Sequence, residues 1–148
     1  MGLVAGAFAL YAHTIMPGLR NGDDHTFVAA FQSIDRAIIN PWFMLTAFFG
    51  ALVFTGAATL LHIGEDAFWW ILSALVLYVV TVVITVAVNV PRNDAIKAAG
   101  DPTQIDVAAA RAAFDEARWV RWNLVRVVAN TAAFGLLAWA LVVAGGAR

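Results

Sequence analysis

The chain contains no cysteine, which excludes disulfides, thiolate nucleophiles and cysteine metal sites and leaves the redox compartment unreadable. Charge is scarce as well: 13% of the 148 residues are charged and the net charge is −1, against about 25% charged residues in ordinary soluble domains. No Lys/Arg stripe lies outside membrane-flanking positions, which argues against a nucleic-acid partner. Also missing are a positively charged leader ahead of the first apolar run, a G-x-S-x-G, a P-loop, a dinucleotide fingerprint, and any H-x-x-x-H or E-x-x-H pair. The N-terminal stretch therefore reads as a retained span, and hydrolase, nucleotide-binding and helical zinc chemistry have no signature here.

What is there is apolar side chain, 62% of the residues. A soluble domain of this length leaves roughly a third of its unfolded surface exposed, so the surplus needs lipid. Four stretches, about 2–19, 42–61, 67–90 and 121–144, meet the length of about 17–25 residues that crosses a bilayer. The third holds the run VVTVVITVAV, strand-like in water, but an open strand leaves backbone groups unpaired in lipid and a helix does not. The expected fold is all-α, one domain over 1–148: an integral membrane four-helix bundle.

Between the first two spans, Phe27, Phe31, Ile34 and Ile38 recur at helical spacing with Gln32, Asp35 and Arg36 elsewhere on the wheel. This predicts an amphipathic helix at about 24–39, lying at the interface or packed over the bundle, and ended by Asn40-Pro41. Pro91 is expected to break the third helix. Asp101-Pro102-Thr103-Gln104 reads as an aspartate cap with proline at N1 and glutamine at N3, opening a helix over about 103–120 that runs on into the fourth span. Eight basic residues, Arg20, Arg36, Arg92, Lys97, Arg111, Arg118, Arg121 and Arg126, lie in or beside the first and third connections, against Arg148 alone at the other end. The positive-inside rule then predicts a multi-pass plasma-membrane protein with those connections in the cytoplasm and both termini outside.

The polar residues of the spans gather at that same end. Trp119, Asn123, Arg126 and Asn130 follow i, i+4, i+7, i+11 spacing and share one helical face. Arg126 sits about a turn inside the span, where it either snorkels to phosphate or supplies a fixed charge and donor fork to an anionic ligand. His13 follows Gly2, Gly6 and Ala9 on a small-residue face and is expected to meet a neighbouring helix, as a proton acceptor or as a structural hydrogen bond. Tyr78, Thr81, Thr85 and Asn89 form a second stripe, in which the threonines are expected to bond back to their own helix. His13 and His25 with Asp23 and Asp24 lack ligand spacing, so no metal site is expected.

At these residues the chain resembles the anthrone-oxygenase-like family of small four-helix membrane proteins. The resemblance runs over nearly the whole chain, through Met16-Pro17-Gly18-Leu19-Arg20, Phe31-Gln32-Ser33-Ile34-Asp35-Arg36, Asn40-Pro41-Trp42-Phe43, Asn89-Val90-Pro91-Arg92-Asn93-Asp94, and Trp119 with Trp122-Asn123-x-x-Arg126. It departs at Arg92, where the family often has leucine, and at Leu124, where the family often has histidine after the asparagine. The resemblance implies oxidation of an anthrone or similar lipophilic aromatic by O2. Such a reaction needs a base, donors for a developing oxyanion and a dry apolar slot. His13 is the expected base, with Asn123 and Arg126 as oxyanion donors and Asn89, Asn93, Trp119, Trp122 and Gln32 as substrate contacts. No cofactor is expected, a bound metal or haem is left open, and so is the oligomeric state. The competing readings are a non-enzymatic membrane module for a lipid, quinone or partner protein, and a small transporter, which would need a polar path to His62.

Overall fold

The structure, a computed structural model, describes residues 1–146; Arg148 lies outside the described residues. Four of its helices, or helical runs, are long and apolar enough to cross a membrane. We label the helices α1 (Gly2–Arg20), α2 (Asp24–Ile38), α3 (Trp42–Leu61), α4 (Phe68–Ala98), α5 (Val107–Phe114) and α6 (Glu116–Gly146). The all-helical membrane bundle expected from the sequence is what the described residues form. The long α6 lies along α4 and against α1, and α3 packs on α4. A tight link through Gly64, whose φ of +88° suits glycine, joins α3 to α4.

Three segments widen from α to π winding: Tyr11–Ile15 in α1, Trp42–Phe49 in α3 and Thr85–Asn89 in α4. Two of them run just ahead of a proline, Pro17 and Pro91. A proline ring collides with the carbonyl four residues back and offers no N–H, and widening the preceding turn relieves both problems without breaking the helix. Pro91 therefore does not end α4, as the sequence suggested; the helix runs on to Ala98. Arg92 helps, donating from Nη1 to the Val88 carbonyl at 2.8 Å. In α3 the wide winding carries a different constraint: a Cβ on Gly50 would stand 2.8 Å from the Leu45 carbonyl oxygen, five residues back. Gly50→Ala is expected to destabilise the bundle by about 1–3 kcal/mol, the range for a forced overpacking, read as a lower midpoint of thermal unfolding in detergent.

At one end α2, the last turns of α4 and α5 close over the bundle as a cap. The Asp23 side chain caps α2 by accepting the Thr26 N–H at 2.7 Å, a bond that also holds its carboxyl below the usual carboxylate range. Phe27, Phe31, Ile96 and Phe114 are buried there with Tyr11, Met16 and Trp119; Phe31 lies 4.6 Å from the Phe114 ring centroid and edge-on to Trp119 at 5.8 Å. Of the two placements open for the amphipathic helix, packing over the bundle is the one adopted. Arg111 of α5 ties the cap to the end of α1. It donates to the carbonyls of Arg20 and Gly22, pairs with Asp24 at 3.0 Å and lies over the Phe27 ring.

The extension of α6 differs from the expected single helix over 103–120. Asp101 does not cap a helix; its Oδ1 accepts the Thr103 N–H and hydroxyl within a turn. The cap is Asp106, which accepts the Ala109 N–H at 3.0 Å and starts α5. That helix stops at Asp115, a left-handed residue with φ of +52°. Asparagine and aspartate tolerate this region best among non-glycine residues, and Asp115 uses its carboxylate to accept the Arg118 N–H at the start of α6. The break folds α5 back over the cap.

Candidate functional site

Beneath the cap lies a cavity of about 400 Å³, within the roughly 300–1,000 Å³ of small-molecule pockets. Phe8, Phe43, Met44, Phe48 and Trp119 form its apolar wall, and Tyr11, Asp35, Thr85, Asn93 and Arg126 bring polar groups to it. Every π-wound segment contributes lining residues: Tyr11 from the first, Phe43, Met44, Phe48 and Phe49 from the second, Thr85 and Val86 from the third. Such winding recurs at functional sites because it re-aims side chains that regular helix would point elsewhere.

Arg126 dominates the inner end. It is 4% exposed, so it does not snorkel. Its Nη2 donates to Asn123 Oδ1 at 2.8 Å and its Nη1 to Thr85 Oγ1 at 3.2 Å. The guanidinium lies 4.2 Å from the Phe8 ring centroid and 5.5 Å from that of Trp119, and Nε has no partner. Among the described residues it forms no ion pair. A buried cation held by rings and neutral oxygens is a strong attractor for negative charge developing beside it.

Asp35 is the counterpart on the α2 side, also 4% exposed. Its Oδ1 accepts from Asn93 Nδ2 at 2.7 Å, while Asn93 Oδ1 accepts from Trp119 Nε1 at 2.7 Å. Lys97 Nζ lies 2.8 Å from Asp35 Oδ2, a charge contact without hydrogen-bond alignment, and 3.0 Å from Asp94 Oδ1. The carboxylate thus sits at the cavity wall with its counter-ion behind it.

The structure gathers some of the expected site residues and disperses others. Arg126, Asn93 and Trp119 line the cavity. Asn123 stands behind, donating to the Phe8 carbonyl at 3.1 Å while its Oδ1 orients Arg126. Asn89 is wholly buried and donates to the Trp119 carbonyl at 3.3 Å, a brace for the same wall. Gln32 is a structural clamp, its Nε2 donating to the carbonyls of Ile96 and Gly100. Trp122 is half-buried and outside the cavity lining.

His13 must be corrected. It is exposed on α1, outside the cavity, and among the described residues its side chain hydrogen-bonds with Thr14 alone, through Nδ1 at 2.6 Å. The buried face of α1 is Val4, Ala5, Phe8 and Tyr11, not Gly2, Gly6, Ala9 and His13, and a Cβ on Gly6 would meet nothing within 4 Å. Sequence reasoning missed Tyr11 and Asp35 as site residues. A signal for Asp35 existed: it follows Phe27 and Phe31 by eight and four residues, on the edge of the apolar face.

Among the described residues no three His, Asp or Glu side chains come together in a way that could hold a metal ion. A second hollow, of about 500 Å³, lies at the opposite end against Leu61, His62, Glu65 and Val143, but its only polar side chains are half-buried or exposed.

No curated protein and no solved structure matches the chain. A family model described as anthrone oxygenase matches residues 36–136. The match takes in Asn93, Trp119, Asn123 and Arg126 and leaves out Phe8, Tyr11 and Asp35. It covers more than half of the sequence, and the chain belongs to the anthrone oxygenase family.

Proposed function

We propose that this protein is a membrane-embedded oxygenase that converts an anthrone, or a similar lipophilic tricyclic aromatic, to the quinone with O2. One observation carries the reading: a buried guanidinium with no ion-pair partner among the described residues and a buried carboxylate share one aromatic-walled cavity. Asp35 takes a proton from the benzylic CH2 flanked by the two rings. The resulting anion spreads its charge onto the ketone oxygen, where Arg126, oriented by Asn123, stabilises it. That anion is electron-rich enough to give one electron to O2, and radical recombination forms the carbon–oxygen bond of a peroxide. Protonation of the peroxide, loss of the second C–H proton and O–O cleavage yield the new carbonyl and water. One O2 is consumed per anthrone, one oxygen atom entering the product and the other leaving as water. The substrate is itself the reductant, so the sequence of steps calls for no cofactor.

Further support comes from charge asymmetry. Arg36, Arg92, Lys97 and Arg111 lie on the cap and Arg20, Arg118 and Arg121 on the adjoining ends of α1 and α6, and on the positive-inside rule this end faces the cytoplasm of a plasma-membrane protein. The test is oxygen uptake by the purified full chain in phosphatidylcholine vesicles loaded with anthrone. The expected result is anthraquinone formation above protein-free vesicles, with one O2 used per product. Saturable anthrone binding with no uptake above background would instead leave a lipophile-binding module.

A further inference from the structure

The cavity has an edge that the reaction itself does not use. Its inner residues are buried, but Ile39, Phe49 and Val86 among its lining are 55%, 46% and 61% exposed. All three are apolar, and Phe49 and Val86 lie within the apolar spans of α3 and α4. The two helices pack along Gly50–Leu61 and Phe68–Ile84; Tyr78 closes that contact by donating to the Phe48 carbonyl at 2.7 Å, and past it the backbones of Trp42–Phe49 and Thr85–Asn89 diverge. The opening is therefore a cleft between α3 and α4 that begins at hydrocarbon depth.

A mouth facing water would be expected to carry polar side chains. This one would set bare aliphatic and aromatic groups in solvent. The cavity does reach the aqueous side at Asp94, but there Lys97 bridges Asp35 and Asp94 with contacts of 2.8 and 3.0 Å. A planar apolar molecule entering that way would have to leave the lipid first and pass two ion-paired carboxylates.

We propose that the substrate enters sideways from the bilayer, through the cleft bounded by Phe49 and Val86, and that the occupant is a flat aromatic dissolved in the membrane. This rests on the reading that the cavity accepts a lipophilic aromatic. The choice of an aromatic over an acyl chain follows from the walls: the cleft leads to Phe43, Phe48 and Trp119 and ends at a cation, a lining for a ring system carrying an oxygen.

The test uses the full chain in phosphatidylcholine vesicles containing a naphthalene that bears a photoactivatable trifluoromethyl-diazirine. After irradiation, labelled residues are mapped by mass spectrometry. Labels are expected on Met44, Phe48 or Trp119, falling at least about fivefold in Val86→Trp and in Phe49→Trp, whose added bulk would narrow the mouth. Val128→Trp, at a 64% exposed position on α6, is expected to leave labelling unchanged, and Phe49→Ala to raise it. Undiminished cavity labelling in both narrowed variants would overturn the lateral route, as would the absence of cavity labels in the unsubstituted chain. Labelling only by a phospholipid with the diazirine on its acyl chain would make the cleft a lipid groove, and would also overturn it. A chain that is labelled as expected yet shows no oxygen uptake with anthrone would refute the oxygenase reading alone and leave the entry route standing.

Discussion

Arg126→Met is expected to lower turnover by about 10²–10³-fold, the loss that follows removal of one preorganised donor to a developing oxyanion. Stability should barely move, because two effects oppose each other. Asn123 Oδ1 and the Thr85 hydroxyl lose their donor, at about 1–3 kcal/mol for each group left unpaired in the interior. Against that, an ion held away from lipid headgroups and water is replaced by an apolar chain of similar length, a change that is often neutral or stabilising. The comparison to make is kcat in vesicles against the midpoint of thermal unfolding. Arg126→Lys retains the charge but not the planar fork that reaches both oxygens, and it should recover only part of the lost rate. Turnover within threefold of the unsubstituted chain in Arg126→Met would remove the guanidinium from the mechanism.

Asp35→Asn should be as damaging to the rate, about 10²–10⁴-fold, the usual contribution of a positioned general base. The amide oxygen can still accept from Asn93, and Lys97 keeps Asp94 at 3.0 Å, so the cap should stay folded. Anthrone deuterated at the reactive carbon sharpens the test. Once the base is gone, proton removal limits the whole reaction, and the isotope effect on kcat should rise toward its full value. Asp35→Glu should restore part of the rate. An unchanged isotope effect with a large loss of rate would show that Asp35 positions the wall through Asn93 and Trp119 and does not move the proton.

The sequence made the bundle readable because apolar length and helical period both survive in a single chain. The face of Trp119, Asn123, Arg126 and Asn130 is buried as its spacing implies, since α6 is regular from Glu116 onward. Likewise Tyr78 and Thr81 are fully buried, and the Thr81 and Thr85 hydroxyls bond back to the carbonyls four residues earlier. His13 was misplaced because counting in steps of three and four from Gly2 put it on a face of small residues that α1 does not bury. Tyr11, two residues earlier, is the side chain that reaches the cavity. Asp35 was hidden by its chemistry: an acidic residue on an amphipathic helix reads as solvated until its neighbours are known, and here those neighbours, Asn93 and Lys97, come from a helix about sixty residues away. The cap at Asp106 was obscured by a better-looking aspartate five residues earlier.

The wide turns have a bearing on how this protein tolerates change. An α-helix advances about 100° per residue, so a turn that accommodates one extra residue sets everything beyond it at a new angle about the axis. Phe8 and Met16, and likewise Thr81 and Asn93, lie on opposite sides of such turns. Chain length in these short segments thus acts as a phase setting for the chamber wall. Swapping one apolar residue for another there alters a surface, whereas gaining or losing a single residue would turn the remainder of the helix and aim a different set of side chains at the reacting molecule.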